Sequence, residues 1–130
     1  MYMSNILISI FVESRYKINK KRIRGTVENL LKKHQINGPL EVSIAVVGDR
    51  KMRSLSRKYK GEDKTRNVLS FSLAEGESSN LPPNVLRLGD IVISYPVVIK
   101  EAAEGEMLVD DKIDSLIEHG LNHLLGINHE

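Results

Sequence analysis

The stretch ILISIFVESRYKINKKRIRGTVENLLKKHQINGPLEVSIAVV (Ile6–Val47) changes its hydrophobic period twice. Ile6, Ile8, Ile10 and Val12 alternate with mostly polar neighbours, and Val42, Ile44 and Val46 do the same. A side-chain period of two gives each segment one face for a core and one for solvent, the pattern of a strand. Between them Ile23, Val27, Leu30 and Leu31 recur at i, i+4, i+7 and i+8, which lines up one side of a helix. Asn19 stands where an N-cap is needed, and Asn37-Gly38-Pro39 where a helix must stop.

Working outward, a second helix is expected from Arg50 to Tyr59 with Met52 and Leu55 inward. NVLSFSL (Asn67–Leu73) and GDIVIS (Gly89–Ser94) are β-branched or aromatic runs bounded by turn residues and read as strands. A third helix follows Pro96 and runs from Val97 to about Glu104, and a last one runs from near Asp110 to Leu125, with Gly126 as terminator. The order predicts one domain over 1–130 of the α/β (α+β) class. Four to five helices pack on a small mixed four-stranded sheet with a single layer of core. AEGESSNLPPN (Ala74–Asn84) is expected to form a long exposed loop within that domain.

At 130 residues the chain is long enough to bury about two-thirds of its unfolded surface. Apolar residues make up 41%, with two Phe, four Tyr and no Trp, so packing must rest on Ile, Leu and Val. The absence of cysteine rules out disulfides and thiolate metal sites and suits a cytoplasmic protein. Basic residues follow the first apolar run rather than precede it, which argues for a strand and against a signal peptide. No stretch approaches the roughly 20 apolar residues that span a bilayer, so a soluble protein is expected, with no membrane partner. The net charge is only +2, but cations concentrate in Arg15–Gly25, Asp49–Gly61 and Lys64–Arg66. Such a half can neutralise phosphates, or can simply be a set of solvated helix faces.

Three of the four histidines, His119, His123 and His129, fall in the last twelve residues, in HGLNHLLGINH (His119–His129). On the last helix Ile113, Leu116, Ile117, Gly120 and Leu124 form the stripe that must face the sheet, and His119 and His123 border it. Four residues apart, their Cβ atoms lie about 6 Å from one another, so both imidazoles can meet one ion at about 2.0 to 2.1 Å. Gly126 ends the helix and lets the chain turn back, which can bring His129 to the same ion. Three imidazoles with an open fourth position suit a catalytic zinc. The spacing matches HExxHxxGxxH peptidases, except that Gly120 stands where their glutamate acts as general base. His34, beside Lys33, is read instead as a cation at a helix C-terminus.

HGLNHLLGINH resembles the HGxLHLxGYDH signature of the YbeY family of metal-dependent endoribonucleases and rRNA maturation factors. YKGEDKTRNVLSFSL (Tyr59–Leu73) is similar to that family's YRGKDKPTDVLSFP segment, and LGDIVIS (Leu88–Ser94) to its LGDIVI strand. The resemblance implies that His119, His123 and His129 hold one zinc ion, with nickel the other metal that imidazole accommodates. It implies single-stranded RNA as substrate, notably the 3′ end of small-subunit rRNA, and the ribosome or its proteins as partners. Lys60 occupies the position of the family's functional arginine, and can meet a phosphate as a point charge but not bidentately. Asn128 replaces the family's aspartate, Asn122 a leucine and Thr65 a proline, the last two substitutions being expected to matter less. Asn67 and Ser70 are expected to line the cleft, and Asp90 to support a turn or a helix rather than a metal. A zinc-dependent hydrolase of another substrate, peptide included, and a non-catalytic RNA-binding assembly factor with a structural metal are the competing readings.

Overall fold

The computed structural model describes residues 6–72 and 85–127. Within them the chain forms β1 (Ile6–Val12), α1 (Lys20–Lys33), β2 (Leu40–Val47), α2 (Asp49–Lys60), β3 (Val68–Ser72), β4 (Leu86–Ser94), α3 (Tyr95–Glu104) and α4 (Val109–Leu125). The strands make one mixed sheet in the order β1-β2-β4-β3. β1 and β4 both run parallel to β2, and β3 closes one edge antiparallel to β4 with Ser70 opposite Ile91. The anticipated loop Ala74–Asn84 lies outside the described residues.

Local chemistry sets the helix ends. The Asn19 side chain accepts a hydrogen bond from the Arg22 N–H at 2.9 Å, satisfying one of the free amides of the first turn of α1. The same helix stops earlier than Asn37-Gly38-Pro39. Gln35 turns left-handed at φ 59, and the Ile36 and Gln35 N–H groups donate to Leu31 and Lys32 carbonyls at 2.8 and 3.0 Å. Such a closure normally uses glycine. Here Ile36 packs against the core and draws the chain out of the helix, which outweighs the cost of a side chain at positive φ.

Ile8, Val42, Ile44, Val46, Ile91 and Ile93 share one sheet face and are buried beneath Ile23, Val27 and Leu31 of α1, Val98 of α3, and Ile113, Leu116, Ile117 and Leu121 of α4. The single core layer expected from the sequence is incomplete. On the opposite face Val47, Leu69, Phe71 and Val92 are buried with Met52 of α2. The uninterrupted Ile91-Val92-Ile93 run is the physical reason, because consecutive apolar residues on a strand require cover on both faces. Each such side chain, fully buried, contributes about 1.5 to 3 kcal/mol. That second cover reaches only part of the sheet, since Leu7 and Phe11 of β1 remain 54% and 58% exposed.

Polar contacts aim α4. Arg22 of α1 donates to Asp111 at 2.5 Å and to Asp114 at 2.8 and 3.0 Å, and the Thr26 hydroxyl donates to Asp114 at 2.9 Å. These contacts fix the start of α4 against α1, so that its later turns cross β4 and β3. No helix among the described residues is long and apolar enough to cross a membrane.

Candidate metal centre

Close approach of α4 to the sheet decides where its histidines point. Gly120 is buried, and a Cβ there would lie 2.9 Å from Ile91 Cγ2 and 3.2 Å from Ile91 Cγ1. A second glycine makes room on the sheet side. Gly89 has φ 149, and a side chain there would meet the Phe71 carbonyl oxygen at 2.6 Å and Leu124 at 2.8 Å. With Gly120 pressed on Ile91, His119 and His123 lie at the border of the contact and both are exposed.

The glutamate of the peptidase pattern is therefore sterically barred. Position 120 faces the core rather than the solvent-exposed side where a general base would work.

His123 has a neighbour from the sheet. Its Nδ1 lies 2.6 Å from Ser70 Oγ on the edge strand β3. In the neutral tautomer that donates from Nδ1 to the serine oxygen, the Nε2 lone pair is left for a metal. A partner on the second ring nitrogen is the usual way a ligating histidine is oriented. Ser70 was expected to line the cleft, and the structure places it against a metal-ligand candidate.

Gly126 ends α4 at φ 73, and the Ile127 N–H donates to the Asn122 carbonyl at 2.9 Å, folding the chain back as the spacing of the motif requires. His129 and Asn128 lie outside the described residues. Among the described residues no group of three His, Asp or Glu side chains is arranged to hold a metal ion. The donor set that is described fits one nonetheless. Two exposed imidazoles one helical turn apart can share a borderline-soft divalent ion.

Lys60 is the last residue of α2, which packs on the sheet face opposite α4. The preceding residue, Tyr59, stacks on Phe71 with ring centroids 4.6 Å apart. Consecutive residues of β3 thus look both ways, Ser70 to His123 and Phe71 to the end of α2. The edge strand touches the histidine helix on one face of the sheet and the end of α2 on the other.

Two expectations change. Asn67 is tied to α3, donating from Nδ2 to Glu101 Oε1 at 3.0 Å, while Lys112 of α4 approaches the same oxygen at 3.2 Å. The Asn67 hydrogen bond, seconded by Lys112, holds the Glu101 carboxyl below the ordinary carboxylate range against an opposing effect of burial. Asp90 supports neither a turn nor a helix. It accepts two hydrogen bonds from Arg87 at 2.9 and 3.1 Å, and Arg87 also meets Glu41 of the neighbouring strand β2 at 3.4 Å.

Asn122, expected to matter little, is only 2% exposed. Among the described residues no buried side-chain polar atom lacks a partner, so this amide is satisfied inside the protein. No spacing argument could have found it, because polar residues on a helix border are ordinarily solvated.

Residues 9–130 match the family described as Endoribonuclease YbeY. A Syntrophus aciditrophicus protein of that name is 41% identical over 118 residues, covering 91% of this chain and 72% of the relative. Its namesake from Persephonella marina is 36% identical over 130 residues, covering 98% of this chain and 80% of the relative. The solution structure of a Thermotoga maritima protein superposes with a TM-score of 0.61 over 95% of this chain and 75% of that one; at 22% identity it speaks for the fold alone. Matched by the family over nearly its whole length and by these relatives over most of theirs, the chain belongs to the Endoribonuclease YbeY family.

Proposed function

We propose that this protein is a single-domain, metal-dependent endoribonuclease that cuts single-stranded RNA in the maturation of the small-subunit rRNA 3′ end. It would act in the cytoplasm with the ribosome or its proteins as partners. The observation that carries the metal is the exposed His119–His123 pair on α4 with the His123 Nδ1 engaged by Ser70. His119, His123 and His129 would hold one ion, zinc or nickel by donor chemistry. When bound, such an ion supplies Lewis acidity for phosphodiester hydrolysis.

The chain's own residues have narrower tasks. The Ser70 hydroxyl keeps the His123 ring in one orientation and one tautomer. Lys60, anchored by the Tyr59–Phe71 stack, offsets negative charge on a phosphate brought to the β3 edge. Position 120 has no room for a carboxylate base, which counts against the peptidase alternative.

The test is cleavage of a single-stranded oligoribonucleotide alongside elemental analysis of the purified protein. Cleavage that disappears with a chelator and with His123→Ala supports the proposal. RNA binding without turnover, unaffected by chelation, would make the protein an assembly factor instead.

A further inference from the structure

Away from the histidines, the C-terminal end of β1 and the exposed side of α2 enclose an open cavity of about 470 Å³, lined by Glu13, Arg15, Arg50, Lys51, Ser54 and Arg57. We infer that this cavity docks the phosphate backbone of single-stranded RNA, apart from the residues that act on the scissile bond. The inference rests on the endoribonuclease reading for its choice of polyanion.

Four cations face one carboxylate, and that carboxylate is committed. Glu13 accepts from the Gly48 N–H at 2.9 Å through one oxygen and from Arg15 Nε at 3.2 Å through the other. Arg57 donates to Asp63 at 2.9 Å. Arg50 and Lys51 have no hydrogen-bond or ion-pair partner among the described residues.

Nor does helix stability account for these cations. Arg50 and Lys51 sit in the first turn of α2, where the helix dipole disfavours positive charge. Arg53 and Arg57, one turn apart on the same helix, share Asp63 at 3.7 and 2.9 Å, a compensation that Arg50 and Lys51 do not have among the described residues. Over its 12 residues α2 carries six basic side chains and one acidic one, Asp49. A polyanion laid along the helix relieves the penalty at its first turn, and a chain of phosphates matches a row of cations better than any single anion does.

The row also leads somewhere. From Arg50 to Lys60 the helix advances about 15 Å. It ends beside β3, the strand whose Ser70 meets His123. RNA held along α2 is thereby delivered to the edge over which the histidines stand.

The experiment compares the full chain with Arg50→Gln/Lys51→Gln and, as a control for net charge, Lys32→Gln/Lys33→Gln at the far end of α1. Binding of a labelled single-stranded oligoribonucleotide is followed by fluorescence anisotropy across a salt series, with chelator present to prevent cleavage. Two lost phosphate contacts reduce the slope of log affinity against log salt by about 1.4 and weaken binding by about 25-fold near 0.1 M salt. The control should stay close to wild type. Equal loss in both double variants, no loss in the first, or no RNA binding by the wild-type chain overturns the inference. Restoring the metal separates the two ideas. Binding with these properties but no cleavage leaves docking standing and removes the nuclease; cleavage with unaltered binding in Arg50→Gln/Lys51→Gln does the reverse.

Discussion

Gly25 and Gly120 both lie inside helices, yet replacing each with alanine should have opposite effects. A Cβ at Gly25 of α1 would meet nothing within 4 Å, whereas one at Gly120 of α4 would sit 2.9 Å from Ile91 Cγ2. In a helix interior alanine is favoured over glycine by about 1 kcal/mol, so Gly25→Ala should stabilise by about that amount. The same gain applies at Gly120 but is opposed by overpacking of about 1 to 3 kcal/mol, because Cγ2 is bonded to Cβ and cannot swing aside as a chain end would. A net destabilisation of about 1 kcal/mol follows for Gly120→Ala, placing the variants about 2 kcal/mol apart. Urea unfolding monitored by circular dichroism measures this directly, with unchanged m-values confirming that stability alone has moved. Should Gly120→Ala stabilise as much as Gly25→Ala, α4 does not press on β4 as described. The argument that bars a glutamate from position 120 would then fail with it.

Other expectations concern the site and its supports. Ser70→Ala should weaken metal binding by about 10-fold or more while Ser70→Thr largely preserves it, measured by competitive chelator titration; equal affinity in all three proteins would dismiss Ser70 as the orienting partner. Lys60→Ala should slow RNA cleavage without changing metal affinity, and an unchanged rate would remove Lys60 from the reaction. The Glu101 carboxyl is held below its ordinary value of 4.5, so its contribution to stability is present above that pH and lost as pH falls through the lower folded-state value. The urea midpoints of wild type and Glu101→Gln should therefore converge from about pH 4.5 downward; a gap independent of pH would contradict the assignment. Because imidazole must be neutral to ligate, metal affinity should decline on acidification, and an affinity that stays flat as the pH is lowered would exclude histidine ligation.

What the sequence disclosed and what it withheld have physical reasons. β1, β2 and α1 were legible because period-two and period-3.6 patterns there are uninterrupted, and Gly126 was legible because a turn at φ 73 strongly favours glycine. The stop of α1 at Gln35 was hidden, since it depends on Ile36 reaching a core assembled from distant strands. The second core layer needed a pairing of β3 with β4 that no local pattern states. Asn67 and Asp90 were misplaced for the same reason: their partners, Glu101 and Arg87, are chosen by strand register and helix docking rather than by sequence distance. Of the three histidines, His119 and His123 lie where the helical angle puts them, and His129 falls outside the described residues.

The five-residue strand β3 joins the two sides of the molecule through side-chain parity alone. Sliding it by one residue would turn a phenyl ring towards the histidine helix and a hydroxyl into the oily pocket under α2. Core integrity and ligand orientation would be lost in the same step. An inserted or deleted residue within this strand should therefore be far less tolerated than a substitution, and no partially functional intermediate should be reachable by that route.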